Sequence, residues 1–475
     1  MRTACLFALT LTACAAPERG DVSNVAVNPP SQWNAPHARG DVDTDWWRKL
    51  GDPGLDAAID RTLRHNHDLQ AARARLFAAA SQARLAGAPL SPQLNVGLNG
   101  TRQRSVFVGL PFGGGGLLSN NFNSFGVNLN ASWEIDIWNR VGAAEDAALA
   151  DLVATAEDLR GLRQSMAAQT AKAWYAAVEA REQIALATTT VASYRETETQ
   201  VDARFRRGVR SALDLRLARS RWMSAQAQQH QWEERFENAV RQLEVLQGRY
   251  PDGRSSIPEK LPTRAEPIPV GLPADIVRRR PDLVAAERRL AAAGFRVDEA
   301  QASIYPQLSL FGQLGTSSNK VSGLLDLDFL AWNLGANLVA PILDGGTRRE
   351  QRNLAIARES EAIANFAQVA LRAYREVETL LATDGIVRKQ EQTLAEASTE
   401  SRAAKDLSED RYRRGIGDFI AVLEAQRSAL ALQGQLLTTR RQLLDLRVDL
   451  HLALGGGFET TRPPAAKSGA EGDQR

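Results

Sequence analysis

The sequence contains two copies of one ordered set of segments. Residues 66–76 (NHDLQAARARL) return as residues 280–290 (RPDLVAAERRL), and each copy continues to a PQL triplet, at 92–94 and again at 306–308. A further segment, RFRRGV at 204–209, returns as RYRRGI at 411–416. A repeated order of segments predicts that the chain folds as two copies of one structural unit, so we expect an internal two-fold repeat.

The N-terminus is typical of a secretory signal peptide. Arg2 precedes a short apolar stretch, residues 6–13, that is too short to span a bilayer. Residues 11–14 (LTAC) resemble a bacterial lipobox, which implies removal of residues 1–13 and attachment of diacylglycerol and an N-acyl chain to Cys14. Several acyl chains, at about 0.8 kcal/mol per buried methylene, would anchor the protein permanently. Ala15 follows Cys14, which by the same resemblance favours the outer membrane; an ordinary signal peptide with a chance cysteine is the alternative.

Two long stretches without proline predict long helices, because proline breaks helix interiors. They lie between Pro111 and Pro251 and between Pro341 and Pro463. Within them, residues 142–207 and 346–414 would each run roughly 100 Å as continuous helix. After each Arg-Arg-Gly turn a second helix is predicted, with apolar residues at alternating steps of three and four, which indicates a heptad seam. The seam positions are Leu215, Ala218, Trp222, Ala225, Gln229, Trp232, Phe236, Ala239, Leu243 and Leu246, and Val422, Ala425, Ala429, Leu432, Leu436, Thr439, Leu443, Leu446, Leu450 and Ala453.

A different periodicity precedes each pair of long helices. Residues 125–137 alternate strictly between apolar and polar side chains, and weaker alternation occurs in 94–99, 308–310 and 332–338. A period of two indicates strands, and we expect them near 92–104, 122–137, 306–317 and 328–341. A soluble sandwich and a membrane barrel with a polar lumen both produce this pattern. Four strands cannot close a membrane barrel by themselves, so membrane strands would require an oligomer.

These patterns divide the chain into six segments. Residues 1–13 are the signal peptide and 14–54 a lipidated, extended N-terminal segment. Residues 55–250 form the first structural repeat and 274–456 the second. Between them, 251–273 contain six prolines and are predicted to be an extended linker. Residues 457–475 have the composition of a polar, disordered tail.

Several motifs resemble those of TolC-type outer membrane factors, specifically the NodT- or OprM-like lipoprotein branch of the outer membrane efflux proteins. The motifs cover nearly the whole mature chain in the family's order. They are DWW at 45–47, GDP at 51–53, SWEIDIW at 132–138, RRPDL at 279–283, APILDGG at 340–346 and ALGGGF at 453–458.

The resemblance implies an α+β membrane protein of the outer membrane with a large periplasmic part. In such a protein, long antiparallel coiled-coil helices form a periplasmic α-barrel, and each chain of a homotrimer contributes four strands to a twelve-stranded transmembrane β-barrel. It implies a passive exit duct for drugs or other small molecules in a tripartite efflux pump. The implied partners are a periplasmic adaptor (membrane fusion protein), an inner-membrane RND-type transporter and outer membrane lipid.

The two Arg-Arg-Gly turns lie one long helix away from the strands, so we expect them at the periplasmic tips, where the family's adaptor docks. The expected adaptor contacts are Arg206, Arg207, Gly208, Arg413, Arg414 and Gly415. Ile420 and Glu424 share one helix face. By resemblance this face points into the lumen near the closed tip, although the family usually has an aspartate where Glu424 stands. Three converging copies would form a carboxylate ring that disfavours anions beside an apolar constriction at Ile420. Asp418 and Asp214 are secondary gate candidates, with surface ion pairing as the alternative.

The composition argues against other classes of function. A net charge of +2 provides no field to recruit nucleic acid. The five histidines include one close pair, His65 and His67, with no further ligand cluster, so we expect no metal site. Walker A, G-x-S-x-G and post-strand GxGxxG motifs are absent, so we expect neither an enzyme nor a cofactor besides the acyl groups on Cys14. A duct for type I protein secretion and a helical scaffold lipoprotein without a channel remain alternatives.

Overall fold

The computed structural model of the protein describes residues 31–34, 46–107, 118–262, 270, 273 and 276–456. The predicted signal peptide, the predicted lipidation site Cys14, most of the segment 14–54, the glycine-rich stretch 113–116 and the predicted tail 457–475 lie outside these residues. None of the helices described combines the length and the apolar character needed to cross a bilayer.

The elements follow the same order in both repeats. A 3-10 helix, Trp46–Leu50, precedes the first repeat. That repeat contains the helices α1 (Pro53–His65), α2 (His67–Gly87), α3 (Arg140–Arg206) and α4 (Ala212–Leu246), the 3-10 helix Ala88–Leu90, and the strands β1 (Gln93–Phe107) and β2 (Leu118–Ile135). The second contains α5 (Ile276–Arg279), α6 (Pro281–Ala302), α7 (Thr347–Arg413), α8 (Phe419–Ala453), the strands β3 (Gln307–Ser318) and β4 (Leu330–Val339), and the 3-10 helices Val321–Gly323 and Leu327–Phe329. Helices α3 and α7 each have 67 residues, and α4 and α8 each have 35, so the predicted repeat extends to helix length.

The four strands form one antiparallel sheet in the order β1-β2-β3-β4. Strand β2 ends at Ile135, two residues before the alternating pattern ends. The reason is the Asp136 carboxylate, which accepts hydrogen bonds from the backbone N–H groups of Arg140 (2.7 Å) and Gly142 (2.8 Å) and so begins α3. Asn139 takes a positive φ of 55° at this corner. The predicted combination of long helices with four strands is confirmed.

The chain forms two compact units that cut across the repeats. In the described part of the chain, one unit comprises residues 76–107, 118–155 and 286–366 and includes all four strands. The other comprises residues 31–34, 46–75, 156–262, 270, 273, 276–285 and 367–456 and includes α4, α8 and the greater part of α3 and α7. Each unit therefore draws equivalent elements from both repeats.

The main core of the helical unit packs the N-terminal segment against α3, α4 and α8. Trp46, Trp47, Leu55 and Ile59 are buried there among small residues of α3, chiefly alanines between 167 and 180. Asp52 caps α1 by accepting from the backbone N–H of Gly54, and its second oxygen accepts the indole N–H of Trp174 at 2.8 Å. All the seam positions of α4 and α8 are buried or half-buried, as the heptad pattern predicts.

The beginning of the proline-rich segment is fixed to the helices. Glu244 of α4 is fully buried and accepts the backbone N–H groups of Gly253, Arg254 and Ser255 at 2.8–3.0 Å. Glu182 of α3 accepts the N–H of Leu261 at 2.8 Å. Ile257 and Leu261 are also members of the main core. Residues 251–262 contain neither helix nor strand and are held in place by these contacts.

Candidate functional site

The sheet has one apolar face and one polar face. Directly paired residues of neighbouring strands share a face, so the register joins Leu94, Ala131, Gly312 and Leu334 into one row. The apolar face consists of Leu94, Val96, Leu98, Phe125, Val127, Leu129, Ala131, Trp133, Ile135, Leu308, Leu310, Leu314, Leu330, Trp332, Leu334, Ala336 and Leu338, interrupted by Gly100, Gly312, Thr316 and Ser318. This face is open in the single chain: Val96 is 76% exposed and Trp332 75%. Such a continuous exposed apolar surface marks an interaction with lipid or protein.

The height of this apolar band matches a bilayer. It ends at Ile135 on one side and at the Gly100–Phe125 pair on the other, beyond which Arg102 pairs with Asn123. The ten residue steps along β2 correspond to roughly 33 Å of strand, or about 25 Å across a membrane at a tilt of about 40°. Outer-membrane strands have an apolar band of about this height.

Aromatic side chains lie at the helix-proximal end of the band. The Trp133 indole N–H donates to the carbonyl of Leu90 at 2.9 Å, and that of Trp138 donates to the carbonyl of Pro306 at 2.8 Å. Tyr305 stacks on Trp138 at 4.8 Å. A side chain that combines an apolar ring with a hydrogen-bonded N–H or O–H group is typical of the boundary between lipid and water.

The opposite face of the sheet is uncharged and rich in amides. Its side chains are mainly asparagine, glutamine, serine and glycine, and Asn128 donates to Asn99 at 2.7 Å. Among the described strand residues of this face, only Glu134 is ionisable, and Arg140 pairs with it at 2.8 Å. This face presents hydrogen-bonding groups without net charge.

The two Arg-Arg-Gly turns have the same backbone structure. Gly208 has a φ of +72° and Gly415 of +81°, a region that favours glycine. In the first turn, Val209 N–H bonds to the Arg204 carbonyl at 3.0 Å and Gly208 N–H to that of Phe205 at 2.8 Å. The second turn repeats both bonds, so α3 and α7 end in the same Schellman motif.

The side chains around these turns differ between the repeats. Tyr412 is 2% exposed, whereas Phe205, its counterpart in the first repeat, is 39% exposed. The Arg204 guanidinium lies 4.6 Å from the Tyr412 ring centre and that of Arg210 lies 5.2 Å from it. Arg204 also donates to the carbonyls of Tyr412 and Arg413, each at 3.3 Å. Arg204 thereby joins the end of α3 to the end of α7.

A small apolar cluster supports this contact. Tyr412 packs with Phe419 (5.5 Å between ring centres), Val201, Leu215 and Val422. Further along α3 and α4, Arg219 bonds to Glu198 at 2.7 Å, which raises the pKa of the arginine. The ends of the two helical hairpins are therefore packed together through Arg204 and the apolar cluster, while the Arg219–Glu198 ion pair joins the two helices of the first hairpin.

The expected adaptor-contact residues are surface groups with local partners. Arg206 pairs with Asp202 at 2.7 Å and Arg414 with Asp410 at 2.9 Å, both one turn back in the same helix. Arg207 donates to the carbonyl of Ala203 at 3.1 Å. The guanidinium groups of Arg206 and Arg414 remain largely exposed, so both are accessible to a partner.

The gate candidates have different surroundings. Ile420 is 54% exposed and lies one turn from Glu424, which is exposed and ion-paired with Arg427. The hydrogen bond from Arg427 lowers the pKa of the Glu424 carboxyl. Asp418 is the N-cap of α8 without a side-chain capping bond. Asp214 forms a capping box with Ser211 at the start of α4, so it has a structural role there.

A second polar cluster joins α3 to α8 beside the main core. Arg441 bonds to both Glu179 and Asp445, and Thr438 donates to Glu179 at 2.7 Å. Burial raises the pKa of Asp445 to about 6, against the lowering effect of Arg441. The sequence pattern did not single out this cluster, because Glu179 lies 262 residues before the arginine that binds it. In the described part of the chain, no group of three or more histidine, cysteine or carboxylate side chains is arranged to hold a metal ion.

Comparisons with known proteins match nearly the whole chain. A family model described as "Outer membrane efflux protein" matches residues 58–249 and 272–456, one stretch in each repeat. The pyoverdine export outer membrane protein OpmQ of Pseudomonas putida is 32% identical, over 97% of this chain and 99% of that protein. The outer membrane protein OprJ of Pseudomonas aeruginosa is also 32% identical, over 97% and 96%. The solved structure of the outer-membrane channel OprN superimposes with a TM-score of 0.83 at 27% identity, covering 91% of this chain and 98% of that one.

Proposed function

Because the chain belongs to the outer membrane efflux protein family, we propose that three copies of it close into one continuous duct. The protein is the outer membrane channel component of an efflux pump. The observation that carries the proposal is the four-stranded sheet, apolar on one face, amide-lined on the other, with β1 and β4 as edges within the described residues.

The edges favour a ring of chains. An open strand edge in hydrocarbon leaves backbone N–H and C=O groups without partners, at several kcal/mol per group. Strands β1 and β4 run in opposite directions, so β4 of one copy can pair antiparallel with β1 of the next. Two copies would supply eight strands, but the interior of a barrel of about eight strands is filled by side chains. Three copies provide a wider barrel, as the family resemblance implies.

The proposed partners follow from the position of the tips. A passive duct requires an energy source elsewhere, so we assign that role to an inner-membrane transporter of the RND type, connected through a periplasmic adaptor. The exposed Arg206, Arg207, Arg413 and Arg414 would contact acidic or carbonyl groups of the adaptor. Acyl chains on Cys14 would add an anchor to the same membrane. We infer that the cargo is a small molecule, since the relatives of this chain include outer membrane proteins named for pyoverdine export and for toluene efflux.

Reconstitution tests this proposal. Purified protein is expected to migrate as a trimer after chemical cross-linking in detergent and to produce discrete conductance steps in a planar bilayer. Cys14→Ala should retain both properties, because the acyl anchor is not part of the barrel. A monomer that stays in solution without detergent when Cys14 is replaced would refute the duct.

A further inference from the structure

A cavity of about 370 Å³ lies between α3, α4 and α8, inside the helical unit. Its floor is formed by buried side chains, among them Gln183, Ala187, Tyr194 and Ala225. Leu186 and Leu430 add apolar surface. A volume of this size falls within the roughly 300–1,000 Å³ of small-molecule sites, which combine an apolar lining with a few polar groups.

A glycine in the middle of α8 makes room for this cavity. Gly434 contributes its carbonyl to the Gln183 amide at 2.9 Å, and a Cβ at this position would lie 3.4 Å from the Gln183 side-chain oxygen. Ala227 occupies the matching position of α4 in the first repeat. Glycine has a low helix propensity, so Gly434 destabilises α8 relative to an alanine at the same position, but it leaves space beside the buried Gln183 amide.

The cavity also carries positive charge. Arg221 lies half-buried in its wall, close enough to Tyr194 to lower the pKa of that phenol, although burial of the phenol has the larger, opposite effect. Within the described part of the chain, no carboxylate forms an ion pair with Arg221. Arg427, at the mouth, is neutralised by Glu424. The guanidinium of Arg221 therefore has no ion-pair partner among the described residues, although it lies close enough to Glu424 to help lower the pKa of that carboxyl.

An aromatic surface lies in the same cavity. Trp232 lines it, and Arg235 covers the Trp232 ring with its guanidinium at 4.4 Å. Gln228 and Gln435 add amide donors near the mouth. A guanidinium pairs with a planar carboxylate through two parallel hydrogen bonds, while tryptophan and tyrosine rings favour contact with a flat hydrocarbon body.

We propose that this cavity is a binding site for a flat aromatic organic anion, with its acidic group on Arg221 and its ring system beside Trp232 and Tyr194. The site goes beyond a passive conduit, because it would hold a solute on the protein itself. It does not depend on the barrel, since all of its residues belong to the helical unit.

Isothermal titration of the detergent-solubilised protein with 2-naphthoate tests the site, with 2-naphthalenemethanol as the uncharged probe. Arg221→Gln should weaken 2-naphthoate binding about tenfold and change binding of the alcohol less than about twofold, because only the acid loses a charge-assisted hydrogen bond. Arg216→Gln, on an exposed position of the same helix outside the cavity, is the matched control.

A second pair of variants tests whether binding requires the volume of the cavity, independently of the charge on Arg221. Gly434→Leu should abolish binding of both probes by filling the cavity, whereas Gly385→Leu, a mid-helix glycine of α7 with open space around it, should leave binding unchanged. Failure of the unaltered protein to bind 2-naphthoate saturably would overturn the proposal. So would equal losses with Arg216→Gln and Arg221→Gln, or unchanged binding with Gly434→Leu. Each readout is independent of conductance, so it separates this site from the duct.

Discussion

Arg204 makes the contact that most directly joins the two helical hairpins at the tip. Removing its side chain deletes two hydrogen bonds of 3.3 Å to the Tyr412 and Arg413 carbonyls and the stacking of its guanidinium at 4.6 Å from the Tyr412 ring. Hydrogen bonds this long and partly exposed are each worth about 0.5 kcal/mol, and an exposed cation–π contact about 0.5–1 kcal/mol. Arg204→Ala should therefore favour separation of the hairpins by about 1–2 kcal/mol in each chain.

A change of 1–2 kcal/mol corresponds to a shift of roughly 5–30-fold between two packings of the tip. Single-channel recording in planar bilayers measures it as the fraction of time that a channel conducts, which should rise by at least this factor in Arg204→Ala, because each of the three chains of a channel carries the change. Arg204→Lys should give an intermediate value, because lysine keeps the charge but not the paired donors. Arg207→Ala is the matched control, since Arg207 bonds to Ala203 within its own helix. An unchanged open fraction in Arg204→Ala, or an equal rise in Arg207→Ala, would refute this account of the tip.

Three further predictions concern the sheet, the α3–α8 cluster and the gate. Leu129→Arg should destabilise the protein in lipid by about 2–4 kcal/mol, measured by urea unfolding, whereas Asn130→Arg on the polar face should cost far less. In the folded state the pKa of Asp445 is raised to about 6, so the folded protein binds the carboxyl proton more tightly than the unfolded chain does. Protonation of Asp445 therefore adds roughly 3 kcal/mol to the free energy of unfolding below about pH 4, and this stabilisation is lost as the pH rises through about 6. Asp445→Asn should remove that part of the pH dependence of the melting temperature, and an unchanged slope would contradict it. Arg427→Ala should release the Glu424 carboxylate and move the reversal potential in a salt gradient toward cation preference, whereas Arg427→Lys should not.

Periodicity made the elements of this fold predictable. The period of two identified all four strands, because each strand separates an apolar from an amide-rich face, and the proline-free stretches marked α3 and α7 to within two residues at their starts. The exact end of β2 was not predictable from alternation. Ile137 continues the alternating pattern, but the Asp136 carboxylate binds the N-terminal N–H groups of α3 and ends the strand first.

The two Arg-Arg-Gly turns have similar sequences but different side-chain surroundings. Both turns share the Arg-Arg-Gly motif and the same backbone bonds, yet only Tyr412 is covered by arginines, while Phe205 stays exposed. Sequence similarity within the chain predicts equal structure, not which copy packs against the other. The role of Asp214 was visible in principle, since serine followed three residues later by an acid at a helix start is a capping-box pattern.

The contacts that hold the start of the proline-rich segment, residues 251–262, were likewise not predictable from the sequence. Six prolines predict an extended linker, and residues 251–262 contain neither helix nor strand, but composition does not show which groups such a segment contacts. Here the binding groups are carboxylates of other elements, Glu244 and Glu182, that accept backbone N–H groups. Backbone N–H groups are present at every residue except proline, so no side-chain pattern marks the ones that are used.

Charged side chains are distributed differently on the amide face of the sheet and in the helices. The amide face of the sheet carries a single carboxylate in its described part, Glu134, and Arg140 neutralises it. A wall of this kind exchanges hydrogen bonds with water and solutes of either charge but exerts little field on an ion. The helices instead hold Arg221, exposed arginines at both tips and the Glu424 carboxylate, which is paired with Arg427. Within the described residues the amide face therefore contributes little to discrimination by charge, and substitutions on that face should alter passage through size and stability instead.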